Sequence, residues 1–482
     1  MHDRKGILSI SRVGAGTGQR PRTGGPFAMV LGLCAAWLLA SCAQGPVALQ
    51  GSQVLSAWVQ HAGPVGWQVR ALTAADHCPM LRWAGGQRIM VERVGPATVP
   101  VRPSAAQAEA LASVFTERIC ESAWPAGAVA VRVDSFELAA PVAEVRRVVL
   151  IGDTGCRLKR VADAFQDCND PAHWPFAEVA RQAAARHPDL VVHVGDFHYR
   201  ESPCPRARAG CAGSPWGYGL DAWSADLFEP AAPLLAAAPW VFVRGNHESC
   251  DRAGVGWFRY LAAEPWSSDR SCRDPRLDDK ADFSEPFAVS LSDDTQLIVF
   301  DSSRVSDRVY ARDDPQSIRY RAQLASVKAL AARKPHSIFL NHHPALAFAG
   351  SATGEPKPGV AGLQSVMGSV EPGRLYPPGV DLVVNGHYHL FEALDFSSGQ
   401  PAALVVGNAG SDMEGTVDPG RARSAHPAPG ADVRTFRTQP GFGFATLEHL
   451  GPVWRLTEWT TQGRPLEQCD LQGTQWRCEG AH

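Results

Sequence analysis

The sequence has no lysine- or arginine-rich cluster, no Cys-x-x-Cys, no internal repeat, and no comfortable membrane span. The first absence argues against nucleic acid as the main partner. Of 482 residues, 46 are Lys or Arg and 49 are Asp or Glu, for a formal net charge of −3. The first 41 residues hold five of those basic side chains and one acid, so the remainder is more acidic still. Such a chain exerts no general pull on phosphate backbones. Without a Cys-x-x-Cys, neither a zinc ribbon nor a thioredoxin-like motif is indicated. The apolar run Phe27–Ala40 has fourteen residues, against about twenty for a spanning helix. What is present, 45 % hydrophobic and 20 % charged residues, suits a packed globular protein. The length suits two to three domains.

A basic leader followed by a short apolar run is the pattern of a signal peptide. Leu39-Ala40-Ser41-Cys42 resembles the bacterial lipobox, which implies lipidation of Cys42 and removal of residues 1–41. Ordinary cleavage after Ala43 is the alternative, because Ser41-Cys42-Ala43 has small residues at the right spacing. Either way the protein is expected to be exported, and with the lipid it is anchored at the outer membrane or another periplasm-facing surface. The Gly14/Gly16/Gly18 cluster has no strand before it and belongs to the leader, not to a nucleotide loop.

Cysteine usage agrees with an oxidising compartment. Ten cysteines remain after Cys34 and Cys42, and ten allow roughly 945 connectivities, so the sequence alone leaves the map open. They fall into sequential couples that each close a local loop: Cys78–Cys120, Cys156–Cys168, Cys204–Cys211, Cys250–Cys272 and Cys469–Cys478.

Residues 42–145 read as an N-terminal β-rich domain without a catalytic cluster. Met80–Ala84 and Gln87–Val94 flank Gly85-Gly86, a two-residue hairpin turn, and Ala105–Arg118 is helix-like. From 146 to 482 the pattern becomes strand, polar turn, helix. Apolar runs Val148–Ile151, Leu190–Val194, Val241–Val243, Leu297–Phe300, Ile338–Leu340 and Leu382–Val384 read as buried strands. Phe176–Arg186 and Ser317–Ala332 read as helices between them. This is an α/β core with covered sheet faces. Two Gly/Pro-rich stretches, Gly350–Gly379 and Gly415–Gly430, are expected as long surface loops, and Phe442–Leu447 with Val453–Trp459 as a closing hairpin.

Five of the buried strands end in metal-type ligands. The first runs into Gly152-Asp153-Thr154-Gly155 and the second into Gly195-Asp196-Phe197-His198-Tyr199. The others lead to Gly245-Asn246-His247-Glu248, Asn341-His342-His343-Pro344 and Gly386-His387-Tyr388-His389. In open α/β sheets, ligands gather at the carboxyl ends of strands, so all five motifs can meet in one crevice. Adjacent glycines let the backbone turn sharply there.

This ordered set resembles the calcineurin-like metallophosphoesterase superfamily over about residues 146–410. The resemblance implies layered β-sheets flanked by helices. Its first motif usually reads Asp-x-His. Here Gly155 stands at the His position and Tyr199 follows Asp196 by three residues, which looks like the purple acid phosphatase branch. Carried over by resemblance, Asp153, Asp196, Tyr199 and His389 bind one metal ion. Asp196 bridges to a second ion, completed by Asn246, His342 and His387. A phenolate and carboxylates favour Fe(III), while imidazoles and an amide oxygen suit divalent zinc, iron or manganese. Two ions roughly 3.5–4 Å apart clamp a phosphoryl group and supply a bridging hydroxide as nucleophile. His247 is then placed to protonate the leaving oxygen, with Glu248 orienting it. His198 and His343 are candidate substrate contacts, His193 a structural histidine, and Asp301 either a hydrogen-bonding or a functional group.

The expected function is a binuclear phosphatase acting on phosphate monoesters. A phosphodiesterase for cyclic nucleotides or lipid head groups shares the same ligands and stays open. A non-catalytic surface binding protein is disfavoured by the intact ligand set. A 5′-nucleotidase is disfavoured because the stretch after His389 is short for an added nucleotide-binding domain.

Overall fold

The computed structural model describes residues 53–102 and 111–479. The leader, the lipobox and Cys42 therefore lie outside the described residues. Residues from Gly51 onward form one compact unit. Eight strands carry the argument: β1 (Val54–His61), β2 (Trp67–Thr73), β3 (Arg147–Ile151), β4 (Leu190–His193), β5 (Trp240–Phe242), β6 (Thr295–Val299), β7 (His336–Leu340) and β8 (Val380–Asn385). Strands β3, β4 and β5 run parallel in the middle of an 11-stranded sheet. Strands β6, β7 and β8 run parallel in a 7-stranded sheet.

The two sheets stack because alternate residues of each strand point to opposite faces. Val148 and Leu150 share a core with Leu297, Ile338, Leu340 and Leu382 from the other sheet. Their neighbours Val149 and Ile151 face outward onto α1 (Phe176–Ala184), through Phe176, Val179 and Ala183. On the far side Ile298 and Phe339 meet α2 (Pro315–Ala331), through Tyr320, Leu324 and Val327. The layers are thus helix, sheet, sheet, helix, as the strand–turn–helix pattern implies. Both parallel sets place their carboxyl ends at the same edge.

The N-terminal segment is β-rich as expected, but it does not close into a unit of its own. β1 joins β5 in parallel at Gln60↔Trp240, and β2 and Arg118–Ala123 extend the same 11-stranded sheet. Two buried arginines fasten this extension to the core. Arg70 donates to the carbonyls of Tyr260 (2.6 Å) and Ala262 (2.7 Å), and Arg93 to those of Phe258 (3.0 Å) and Glu264 (2.8 Å).

Three local expectations need correction. Within Ala105–Arg118, residues 105–110 lie outside the described residues, while Ser113–Phe115 is a strand, with Ser113 and Phe115 buried and Val114 exposed. The hairpin pairs Trp83 with Gly86, so its turn is Ala84-Gly85. The Gly350–Gly379 loop contains a helix, Ala361–Val370. A Cβ on its Gly362 would lie 2.1 Å from the Ser306 carbonyl oxygen, so this glycine permits close packing and does not mark a turn. The closing hairpin, Gly443–Leu450 with Val453–Thr460, is present and continues into two further strands. All five sequential cysteine pairs form disulfides. Among the described residues no helix is long and apolar enough to cross a membrane.

Candidate metal centre

Each of the five motifs turns away from its strand within a residue or two. Asp153, Asp196 and His387 do so with positive φ, at 55°, 57° and 72°. Side chains seldom adopt that conformation, and such strain concentrates at functional sites. Gly195 shows why no Cβ is tolerated beside them. Its φ is 102°, and a Cβ would stand 2.7 Å from His342 Nδ1.

These turns bring all seven proposed ligands together. The Tyr199 hydroxyl lies 2.9 Å from Asp153 Oδ1, 3.0 Å from Asp196 Oδ2 and 2.7 Å from His389 Nε2. Asn246 Oδ1 lies 3.1 Å from His342 Nε2 and 3.0 Å from His387 Nδ1. Asp196 Oδ2 is also 3.1 Å from His342 Nε2, so this single oxygen touches both groups.

The donor chemistry fits cations. His342 Nδ1 donates to the Val194 carbonyl at 2.9 Å, and a carbonyl can only accept. That fixes the tautomer and turns the lone pair of Nε2 inward, toward two further acceptors, Asp196 Oδ2 and Asn246 Oδ1. His389 Nδ1 likewise donates to the Asp412 carbonyl at 2.5 Å, which leaves its Nε2 facing Tyr199 and Asp153. A cluster of inward-facing lone pairs is stable only with a proton or a metal ion among them. Burial disfavours the charged form of His342, but Asp196 outweighs it and pushes the imidazole up to about 9. Burial, with Asp153 and Asp196, holds the Tyr199 phenol well above its ordinary range in the absence of a cation.

His247 sits over the Tyr199 ring, with centroids 3.9 Å apart. Its Nε2 is 3.8 Å from Asp196 Oδ2, and its Nδ1 is 2.9 Å from the His198 carbonyl and 3.3 Å from Glu201 Oε1. Burial first, then the Arg252 charge, bring His247 down to about 4.

Glu248 does not orient His247. Its carboxylate accepts four backbone N–H bonds, from Gly245 (3.1 Å), Asp196 (3.0 Å), Phe197 (2.9 Å) and His198 (3.2 Å). It is a strut that ties the third motif to the second. His198 does not face substrate either: its fully buried ring packs against Tyr218 and Trp223. His343 is buried too, with Nδ1 3.2 Å from Ser302 Oγ and its ring 4.3 Å from that of His387, so it braces a ligand. His193 is structural as expected, bonded to Thr154 Oγ1 at 2.9 Å. Asp301 accepts from the Ser284 and Ser303 amides at 2.9 Å each, a hydrogen-bonding role.

Four residues that no motif marked belong here. Glu201 holds His247 and is itself held by Arg252, whose Nε donates to Glu201 Oε1 at 2.5 Å. Asp226, fully buried, accepts from the Cys156 amide (3.0 Å), the Tyr199 amide (2.8 Å) and Arg200 Nε (2.7 Å). Arg157 follows the first motif, and its buried Nε has no hydrogen-bond partner among the described residues. Its charge reaches Tyr199 and His389.

A two-sheet α/β sandwich with carboxylates, imidazoles, a phenol and an amide converging at one strand edge defines a hydrolytic enzyme of the phosphoester-cleaving class. The family profile of the calcineurin-like phosphoesterases matches residues 146–391, and the chain belongs to that family. Among solved structures it is similar to the purple acid phosphatase PPD1 from yellow lupin (Lupinus luteus) seeds. They share 15 % identity and a TM-score of 0.50, over 86 % of this chain and 72 % of that one. That likeness shows a common fold. PhoD is similar at 11 % identity and a TM-score of 0.49, over 90 % and 93 % of the two chains. GAP50, the anchor in the inner membrane complex of Plasmodium, is similar at 12 % and 0.38, over 69 % and 90 %. No curated protein sequence matches the chain.

Proposed function

We propose that the protein is a binuclear, purple-acid-phosphatase-like phosphatase that hydrolyses phosphate monoesters. The observation that carries this reading is the position of Asp196 Oδ2, about equally close to the Tyr199 hydroxyl and to His342 Nε2 at 3.0 and 3.1 Å. Asp153, Asp196, Tyr199 and His389 would hold one cation, with a donor set that suits Fe(III). Asp196, Asn246, His342 and His387 would hold a divalent zinc, iron or manganese. When bound, the pair supplies Lewis acidity toward the phosphoryl oxygens and an activated water at moderate pH.

The remaining tasks fall to the chain itself. The His198 carbonyl and Glu201 hold the Nδ1 edge of His247, which leaves Nε2 to carry the proton given to the leaving oxygen. Arg157, whose charge reaches Tyr199 and His389, is the proposed cationic contact for the phosphoryl oxygens. The five disulfides support an oxidising, exported location. Cys42 is the proposed lipid attachment point, and the lipid the only tie to the membrane. Metal analysis of the purified protein, with rates on an aryl phosphate monoester and on the matching diester, tests the assignment. Two ions per chain and faster monoester cleavage are expected. One ion, none, or a diester preference would overturn it.

A further inference from the structure

A cavity of about 470 Å³ opens beside the helix Ala361–Val370, and none of the proposed metal ligands lines it. Its volume is that of a small-molecule site. Val309, Leu375 and Pro429 supply apolar walls, and Arg374 is the one charged side chain among the lining residues. Arg374 is exposed and has no ion-pair partner among the described residues. The cavity therefore favours an anion with an apolar body.

Two glutamines on the cavity wall add direction. A backbone carbonyl can only accept, so the Gln364 nitrogen is fixed by the carbonyls of Ala345 (2.9 Å) and Pro427 (2.7 Å). Both its N–H bonds are used, and its oxygen is the end left for the cavity. Gln400 is turned the other way. Its oxygen accepts from the Leu375 amide at 3.3 Å, and its nitrogen is the end left over, although the residue is only 1 % exposed. One fixed acceptor and one fixed donor are what an amide group, with its own N–H and C=O, satisfies at once.

Gly368 is a third observation. It lies inside the helix, where alanine is favoured over glycine. A Cβ there would meet only Leu375 Cδ2, at 3.9 Å, an ordinary contact. Packing does not demand glycine at 368, and its missing side chain keeps the cavity open.

We propose that this cavity is a binding site for N-acylated apolar amino acids, a chemistry shared by free acyl amino acids and the C-terminal residue of a peptide. The carboxylate meets Arg374, and the apolar side chain lies against Val309 and Leu375. The amide N–H donates to Gln364 Oε1, and the acyl carbonyl accepts from Gln400 Nε2. The site is separate from the metal centre and does not depend on the phosphatase reading.

The test is calorimetric binding of N-hexanoyl-L-leucine, its methyl ester and its N-methyl analogue to the purified protein. Saturable binding of the acid at one site per chain is expected. The ester should bind at least tenfold more weakly, and so should the acid to Arg374→Gln, the worth of a charge-assisted hydrogen bond. The N-methyl analogue should lose about fivefold, the worth of a neutral one. Gly368→Leu fills the cavity and should weaken binding at least tenfold while melting no lower than wild type. No binding to wild type overturns the site, as do equal affinities for acid and ester or an unaffected Arg374→Gln. So do an N-methyl analogue that binds as well as its parent and undiminished binding to a folded Gly368→Leu. Acetyl-Ala-Ala-Leu separates the two sources, and either result upholds the site: tighter binding than the acyl leucine names a peptide terminus, weaker binding a free acyl amino acid.

Discussion

Replacing Glu248 with Gln turns one carboxylate oxygen into an amide nitrogen and changes almost nothing in shape. Oε1 accepts from the Phe197 and His198 amides, and Oε2 from those of Asp196 and Gly245. Whichever way the new amide lies, its NH2 meets two backbone donors. Two bonds disappear and two buried N–H groups are left without acceptors, at about 1–3 kcal/mol each, or roughly 4 kcal/mol together. Glu248→Ala loses all four bonds but leaves room for water, so the conservative change should be no milder than the drastic one. For a unit of roughly 430 residues the unfolding entropy is about 0.9 kcal/mol per kelvin, so the melting temperature should fall by about 4 °C. Burial and then the Asp196 charge push Glu248 up to about 8 when no cation is bound, so thermal unfolding is read with a chelator at about pH 9, where the carboxylate is ionised and metal affinity does not interfere. A Gln variant that melts within about 1 °C of wild type yet turns over slowly would refute the strut. It would return Glu248 to a role in the chemistry through His247.

Asp196→Ala should remove both ions and all activity, since its Oδ2 borders both ligand groups; two ions retained per chain would count against bridging. His247→Ala should keep the metals and lose turnover by roughly 10²–10⁴-fold, the usual worth of general acid catalysis. An unchanged rate would remove His247 from the mechanism. If Tyr199 binds ferric iron as a phenolate, the iron-loaded protein absorbs visible light. Tyr199→Phe should then bleach it with an unchanged circular dichroism spectrum, and a colourless wild type would place another metal in that site. Burial and the Arg252 charge bring His247 down to about 4, and a proton donor must be protonated, so the rate limb it governs falls as pH rises through its pKa. Arg252→Met removes a neighbouring cation and favours the imidazolium, so that limb should move to higher pH in the pH–rate profile. A limb that stays in place, or moves down, would show that the charge does not reach His247.

The strands that carry the site were legible because each is a short apolar run closed by a candidate ligand, in four of the five cases with a glycine beside it, and local pattern is what a sequence displays. The same logic fails for the N-terminal half. β1 reaches the catalytic sheet through a single register contact, Gln60↔Trp240, between residues far apart in the chain. Parallel pairing of that kind leaves no local trace. Nothing in the sequence marks Arg70 and Arg93, and both are buried because carbonyls at the end of Gly254–Tyr260 and just beyond it accept their protons. The glycines of 350–379 suggest loop, but Gly362 serves packing inside a helix.

At the site, the proposed ligands stand in motifs and their supports do not, because a support is defined by the backbone it holds. Asp226 has no motif, and through the Cys156 and Tyr199 amides it ties the first metal-bearing loop to the second. Glu248 ties the second to the third through the Asp196 and Gly245 amides. Asn385 donates to the carbonyl (2.9 Å) and side-chain oxygen (2.7 Å) of Asn341, joining the fourth to the fifth. Asp153 Oδ2 accepts from the His387 amide at 3.0 Å and brings the fifth back to the first. Disulfides then brace this network from outside, at Cys156–Cys168, Cys204–Cys211 and Cys250–Cys272. Ligands for two ions must keep their places within about half an ångström, which separate loops do not achieve alone. Loops joined in turn by buried carboxylates and amides do, and this is why the polar residues that matter most here include several that touch neither metal nor substrate.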